Sequence, residues 1–289
     1  MTTPLVSVCV LTYNHEKYVE QALDSIFSQS IVDQCEVIIG EDNSTDNTLA
    51  LVRKYENRSN VRLFVTPPGA EKIVIRGKPT GRRNLIDCLS RVRGKYVILL
   101  EGDDYWIDDT KLAKQVAMME ANPDCAICFH DNYRLYEDGS LRDYDNFKSD
   151  REMTDRDILL RHVVPHTSTV MFRNHYDGIE WPTIMMDAEI GDWLLFIHAL
   201  AHGSSCYLRE KMSVYRIHPL GIWSGRSVSP IDTLLEYVRI LRAAAELLGE
   251  RYGVYQKDIA KGMRMFKLRA LKKAIAARQW RSLVRVVAA

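Results

Sequence analysis

Gly94-Lys95-Tyr96-Val97-Ile98-Leu99-Leu100-Glu101-Gly102-Asp103-Asp104-Tyr105-Trp106 carries the reading of this chain. A Gly-Lys turn feeds a short apolar run that stops abruptly in three carboxylates. An uninterrupted apolar run of this length, bounded by turn residues, reads as a buried strand. Carboxylates crowded at the end of such a strand repel one another, and the low-dielectric core beside them raises that cost, so the pattern asks for a bound positive charge. A divalent metal is the natural candidate. Glycine at 102 removes bulk between Glu101 and Asp103, which would let a metal or a diphosphate approach the backbone. The plain alternative is an acidic turn after a strand.

Similar arrangements occur nearer the N-terminus. Val6-Ser7-Val8-Cys9-Val10-Leu11 reads as a buried strand ending at Thr12-Tyr13-Asn14. From Glu16 to Phe27, the residues Val19, Ala22, Leu23, Ile26 and Phe27 recur at helical spacing and share one face. A second strand, Glu36-Val37-Ile38-Ile39, runs into Gly40-Glu41-Asp42-Asn43-Ser44-Thr45-Asp46-Asn47-Thr48. Ser44 or Thr45 can cap a helix starting near Asp46.

Apolar strands alternating with amphipathic helices predict an α/β fold, a mostly parallel sheet flanked by helices. Ligands of such sheets bind at the carboxyl ends of the strands. Thr12, Asn14, Glu41, Asp42, Glu101, Asp103 and Asp104 all fall there. No Gly-x-Gly-x-x-Gly follows the first strand and no Gly-Lys-Ser/Thr loop is present, which argues against a dinucleotide oxidoreductase or a phosphate-loop ATPase.

The ordered set of motifs resembles the inverting GT-A-fold glycosyltransferases of family 2, in the bacterial cell-surface polysaccharide type. It runs from Val6-Ser7-Val8-Cys9-Val10-Leu11-Thr12-Tyr13-Asn14 through Glu41-Asp42-Asn43-Ser44-Thr45-Asp46-Asn47-Thr48 and Arg83-Asn84-Leu85 to the acidic strand end. Ile190-Gly191-Asp192-Trp193, Val214-Tyr215-Arg216-Ile217-His218 and Gly221-Ile222-Trp223-Ser224 are similar to the acceptor half of that family. The likeness covers about residues 4 to 226. It implies a GT-A catalytic domain over 1–226, with a donor half to about 105 and an acceptor half from about 106, followed by a helical C-terminal region over 227–289.

By that resemblance Thr12, Asn14, Glu41 and Asp42 hold the nucleotide of a nucleotide-sugar donor, with Asp42 accepting from uracil N3–H of a UDP-sugar. The acidic strand end corresponds to the DXD motif: Asp103 and Asp104 lie at the ribose and at the metal that bridges the diphosphate, His218 completes the metal shell, and Glu101 belongs to the nucleotide site through the ribose, the metal or a water beside the metal. Glu101 and Glu41 stand where the family commonly has Asp. Arg83 lies where an Arg-Asn pair reaches a phosphate, the alternative being a surface cation beside Arg82. Departure of a nucleoside diphosphate leaves negative charge on its β-phosphate, which a hard, oxygen-ligated ion stabilises. Mn2+ or Mg2+ fits that need.

Inversion requires a base on the acceptor hydroxyl, and the resemblance gives that role to Asp192, which can also cap the apolar helix from Leu194 to Leu200. His166, Trp106 and Trp193 are candidates to line the acceptor pocket. The acceptor itself is expected to be a saccharide or a lipid-linked saccharide. Two rivals stand beside this reading: a nucleotide-sugar-binding pseudoenzyme or assembly scaffold, and a polyprenyl-phosphate glycosyltransferase. A glycosidase also uses paired carboxylates but needs neither metal nor nucleotide.

The 289 residues suit one large α/β domain with an appendage, and a net charge of +1 gives no sign of a nucleic-acid binder. Six scattered cysteines fit reduced thiols, and neither a signal peptide nor a membrane-spanning run is evident, so a cytoplasmic location is expected. Cys125-Ala126-Ile127-Cys128 has metal-like spacing but reads as buried strand. Tyr133 to Arg156, polar and aperiodic, is expected to be a loop over the site. From Ile231 the pattern is helical, with a break at Gly253. The cations from Lys257 to Arg285 face almost no acids and run beside Leu268, Leu271, Ile275 and Val284, so the segment 257–289 suits either peripheral contact with an anionic membrane or packing on protein. Oligomeric state is left open.

Overall fold

The computed structural model describes residues 3–147, 152–176, 178–219, 221 and 229–288. The chain divides into two compact units: residues 1–153, 165–180 and 202–218 form the first, and 154–164, 181–201 and 219–289 the second.

All the strands among the described residues belong to the first unit. In chain order they are β1 (Val6–Thr12), β2 (Cys35–Glu41), β3 (Val61–Val65), β4 (Val74–Ile75), β5 (Lys78–Pro79), β6 (Tyr96–Glu101), β7 (Tyr105–Trp106), β8 (Cys125–Tyr136), β9 (Leu141–Tyr144), β10 (Met171–Arg173) and β11 (Ser204–Ile217). Helices α1 (Val19–Phe27), α2 (Thr48–Arg53), α3 (Arg82–Leu89) and α4 (Lys111–Ala121) connect them. The main sheet runs β3-β2-β1-β6-β10-β8-β11-β7, with β9 on β8; β4 and β5 form a separate hairpin. The four strands from β3 to β6 are parallel, as expected of a βαβ succession. Beyond β6 the sheet is mixed, because β10 is antiparallel to both β6 and β8 while β8 and β11 are parallel.

Val6, Val8 and Val10 of β1, Val37 and Ile39 of β2, and Ile98 and Leu100 of β6 pack against Val19, Ala22, Leu23 and Ile26 of α1 in one core. Each Val, Leu and Ile among them contributes about 1.5–3 kcal/mol on burial. Helix α1 begins at Val19, later than the sequence suggested, because Glu16 turns back to accept from the Asn47 amide at 3.0 Å. Helix α2 likewise starts at Thr48: Asp46 accepts from the Thr48 amide, and neither Ser44 nor Thr45 caps it. The expected loop from Tyr133 is in part a hairpin of β8 and β9. Cross-strand cations stand over rings there, Arg134 over Tyr144 at 3.5 Å and Arg142 over Tyr136 at 4.4 Å, so polar and aromatic pairs substitute for the apolar alternation that a sequence reading looks for.

The second unit is helical among the described residues: α5 (Asp155–Leu159), α6 (Thr183–Asp187), α7 (Gly191–Ala199), α8 (Pro230–Arg242), α9 (Ala244–Leu248), α10 (Tyr252–Ala276) and α11 (Trp280–Ala288). The break falls at Gly249, in the left-handed region at φ 51°, and not at Gly253, which lies in the first turn of α10. Gly262 lets α10 approach its neighbours: a Cβ there would lie 2.8 Å from Leu241 Cδ1 and 3.1 Å from Leu160 Cδ2. Among the described residues no helix is long and apolar enough to cross a membrane. Cys9, Cys35, Cys88, Cys125 and Cys128 are buried thiols, and Cys206 is half-buried. Residues Ile222, Trp223 and Ser224 of the last quoted motif lie outside the described residues.

Candidate active site

Adjacent parallel strands β1, β2 and β6 end side by side, so Thr12, Asn14, Glu41, Asp42, Glu101, Asp103 and Asp104 all gather at one edge of the first unit. The Asp42 amide donates to Thr12 O at 3.0 Å, and the Gly102 amide to Leu11 O at 2.8 Å. Asn14 takes a positive φ of 55°, and its Oδ1 accepts from the Thr45 amide at 2.8 Å while its own amide donates to Ser44 Oγ at 3.0 Å. That is where Ser44 and Thr45 are used. Glu41 is fully buried; Oε1 accepts from the Ser44 amide at 2.7 Å, and Oε2 has no hydrogen-bond partner among the described residues. Asp42 Oδ2 is held by Lys72 Nζ at 2.9 Å, and that ammonium also stands 4.4 Å from the Tyr13 ring centroid.

A Cβ at Gly102 would come within 2.8 Å of both His15 Nδ1 and Thr12 Oγ1, so the glycine makes room for these two side chains. It lets the acidic turn close on the end of β1.

The acids of that turn separate into two environments. Asp103 Oδ2 lies 3.0 Å from His218 Nε2 and 3.7 Å from His15 Nε2. Burial opposes its charge, but the His218 hydrogen bond and the nearby His15 outweigh burial and hold the carboxyl below its ordinary range. Asp104 is 1% exposed; Oδ1 accepts from the Arg216 amide at 2.9 Å, while Oδ2 has no hydrogen-bond partner among the described residues. Burial, then Asp103 and Glu101, push the Asp104 carboxyl well above its usual range.

Ligand atoms of Glu101, Asp104 and His166 all lie within 4.8 Å of one another. Thr167 Oγ1 donates to Glu101 Oε1, and His166 Nδ1 stands 3.5 Å from Asp104 Oδ2 with its ring stacked on Tyr215 at 4.1 Å. Burial lowers the His166 pKa to about 4, so its imidazole is neutral at pH 7, the form that ligates a metal. Two carboxylates and one imidazole, with a buried carboxylate oxygen left over, fit a divalent cation such as Mn2+. The trio joins His166, expected at the acceptor, to the acids, whereas His218 pairs with Asp103 and sits 5.2 Å from Tyr18, ring to ring.

Other expectations land elsewhere. Arg83 is exposed in the first turn of α3, while Arg82 beside it is 7% exposed. Trp106 is in the core, its Nε1 donating to Ser168 O at 3.1 Å, and Trp193 of the second unit is 2% exposed with Nε1 donating to Ile158 O at 2.9 Å. Indoles so enclosed offer no face to a sugar, which corrects their assignment to the acceptor. Asp192 lies in the first turn of α7, not at its cap, and its Oδ1 accepts from the Trp193 amide at 2.8 Å. Sequence reasoning passed over His15, Lys72, Thr167 and Arg216. Arg216 stood inside a quoted motif, and its guanidinium binds Asp103 O and Gln21 Oε1 between the rings of Tyr18 and Tyr105.

Comparison with known proteins adds the family. The model described as glycosyl transferase family 2 matches residues 7–178. A putative teichuronic acid biosynthesis glycosyltransferase, TuaG of Bacillus subtilis, is 30% identical over 243 residues, covering 83% of this chain and 89% of TuaG. Uncharacterised relatives in Mycobacterium tuberculosis and Mycobacterium bovis are 34% identical over 222 residues, and the matched region spans 75% of this chain but only 60% of their length. In fold, the chain is similar to S. aureus TarS 1–349 solved with UDP-GlcNAc, at a TM-score of 0.63 and 18% identity over 97% of this chain and 90% of that one. It is also similar to the mannosyltransferase PcManGT of Pyrobaculum calidifontis, solved with GDP-Man and Mn2+, at 0.55 and 17% over 100% of this chain and 80% of that one. With a family match across more than half its length and a GT-A-like sheet whose acids gather at the strand ends, the chain belongs to glycosyl transferase family 2.

Proposed function

We propose that this protein is a metal-dependent inverting glycosyltransferase that moves a sugar from a UDP-sugar to a saccharide or lipid-linked acceptor in cell-surface polysaccharide assembly. The observation that carries it is the buried, unbonded Oδ2 of Asp104 beside Glu101 and His166. Glu101, Asp104 and His166 would hold Mn2+ or Mg2+, which stabilises the negative charge developing on the departing diphosphate. Thr12, Asn14 and Asp42 hold the nucleoside, with Asp42 on the base and Lys72 orienting that carboxylate. Asp103, tied to His218 and His15, keeps its charge for the ribose side of the donor. Asp192 takes the proton of the acceptor hydroxyl; that role rests on the family resemblance. Residues to about 105 serve the donor and those to 226 the acceptor.

The UDP-GlcNAc of TarS and the GDP-Man of PcManGT bracket the donor question. Calorimetric titration with UDP and GDP, each with Mn2+ and with EDTA, tests the reading. Metal-dependent binding of UDP supports it, and binding of GDP alone moves the donor class. A folded protein that binds a nucleotide sugar but gives no turnover with any acceptor polysaccharide is the scaffold rival. The anomeric configuration of the product, read by NMR coupling constants, tests inversion.

A further inference from the structure

Helix α10 has two faces of opposite character. Tyr255, Ile259, Gly262, Phe266, Ala270 and Ala274 are buried in the second unit. On the other side Val254, Lys257, Lys261, Arg264, Leu268 and Ile275 are exposed, with partly exposed Leu271 completing strict three- and four-residue spacing. Residues so spaced form a continuous stripe along the helix. Leu268 and Ile275 are each 57% exposed, which is unusual for side chains that would gain from leaving water. Five of the eleven large hydrophobic side chains exposed among the described residues fall at or beyond Val254, in the last 36 positions of the chain.

The charge around this stripe has one sign. No Asp or Glu occurs after Asp258, while nine Lys and Arg do. Asp258 itself faces inward and is paired with Arg156. Toward α8, Arg269, Lys272 and Lys273 line an open groove of about 640 Å³ together with Leu234 and Tyr237. Val284 and Val287 of α11 are exposed as well, at 70% and 76%.

We infer that the outward face of α10 docks on an anionic bilayer surface. A second copy of the chain is a poor occupant, because pairing the stripe with itself would set Lys257, Lys261 and Arg264 against like charges with no carboxylate on the face. A nucleic-acid backbone would satisfy the cations but leave Leu268 and Ile275 in water. Anionic lipid headgroups meet both needs: the ammonium and guanidinium groups reach phosphate while their stems and the apolar side chains enter the headgroup boundary. This inference does not depend on the catalytic reading.

The test is co-sedimentation of the full chain with phosphatidylcholine vesicles and with vesicles containing 30% phosphatidylglycerol (a probe composition of about a third anionic lipid), at low and high salt. Binding to the anionic vesicles alone, weakened by salt, is expected. The triple variant Lys257→Glu, Lys261→Glu, Arg264→Glu should lose about tenfold or more in vesicle affinity, in keeping with loss of several headgroup contacts. Leu268→Ser with Ile275→Ser should also weaken it, and both variants should keep the wild-type circular dichroism because every changed residue is exposed. No binding by folded protein, equal binding to both vesicle types, or an undiminished triple variant would overturn the inference. A dimer seen by light scattering that these substitutions dissolve would overturn it too, in favour of a second copy.

Discussion

His218 Nε2 lies 3.0 Å from Oδ2 of Asp103, across 115 positions of sequence. The contact follows from the short strand β7, which leaves the acidic turn and pairs antiparallel with β11 through Trp106 with Ser213 and Tyr105 with Val214. That pairing carries the end of β11 to the acids, where the Arg216 amide takes Asp104 and His218 takes Asp103. The two neighbouring carboxyls nevertheless differ: the His218 bond helps hold Asp103 charged, whereas burial, then Asp103 and Glu101, push Asp104 toward its neutral form against the Arg216 amide.

A cation beside Asp104 would reverse that upward push, so the carboxylate should matter most when metal is present. Asp104→Asn is expected to weaken Mn2+-dependent nucleotide binding at least about tenfold, about 1.4 kcal/mol, and to leave the small metal-free binding unchanged. Titration of both proteins with UDP or GDP, with Mn2+ and with EDTA, decides it; equal losses in the two conditions would remove Asp104 from the metal.

Asp192 should behave in the opposite way. As the proposed base it would contribute to the transition state and not to donor binding, so Asp192→Asn should cut turnover about 10²–10⁴-fold with nucleotide affinity intact. Donor titration combined with single-turnover rates checks this, and a variant that retains full turnover rejects the role.

Gly102→Ala would place a methyl group 2.8 Å from His15 Nδ1 and Thr12 Oγ1. The turn must shift to accommodate it, at about 1–3 kcal/mol in stability. Thermal unfolding should show the loss, and nucleotide affinity should fall with it, since the shifted turn carries Asp103 and Asp104.

Glu36 supplies a pH prediction away from the site. Burial alone would raise its pKa, yet the Ser7 hydroxyl, the Arg93 amide and guanidinium, and Arg62 outweigh burial and lower it. A carboxyl depressed in the folded state contributes stability above its unfolded pKa of about 4.3, and that contribution is lost as the pH falls through the lower folded value. Denaturant melts between pH 5 and pH 3 (roughly the window around the unfolded carboxylate value) should therefore show falling stability. Glu36→Gln should flatten the fall and cost about 2 kcal/mol at pH 7, less than a fully buried pair because Arg62 and Arg93 keep access to water.

The parallel half of the sheet was legible because its signals are local. Uninterrupted β-branched runs ending in polar residues define β1, β2 and β6, and the rule that ligands sit at strand ends puts Thr12, Asp42 and Asp104 at one edge. The mixed half was less legible. Strand β8 runs on through Asp131, Asn132 and Arg134, where cross-strand partners, absent from any sequence window, compensate for the missing apolar alternation. His166 was visible only as a strand-start histidine, because its approach to Asp104 depends on how β10 inserts between β6 and β8.

By itself, then, the sequence determined the parallel strands, the order of the acidic strand ends, the helical C-terminal region and its one-signed charge, all of which depend on residues within a few positions of one another. Tertiary structure decided which acid keeps an open oxygen, which histidine stands beside it, that Trp106 and Trp193 are enclosed, and that α10 turns its cations and Leu268 outward. Those outcomes are set by desolvation and by partners tens to more than a hundred positions away, and a side chain's burial and charge state are properties of the packed surroundings, not of its neighbours in the chain.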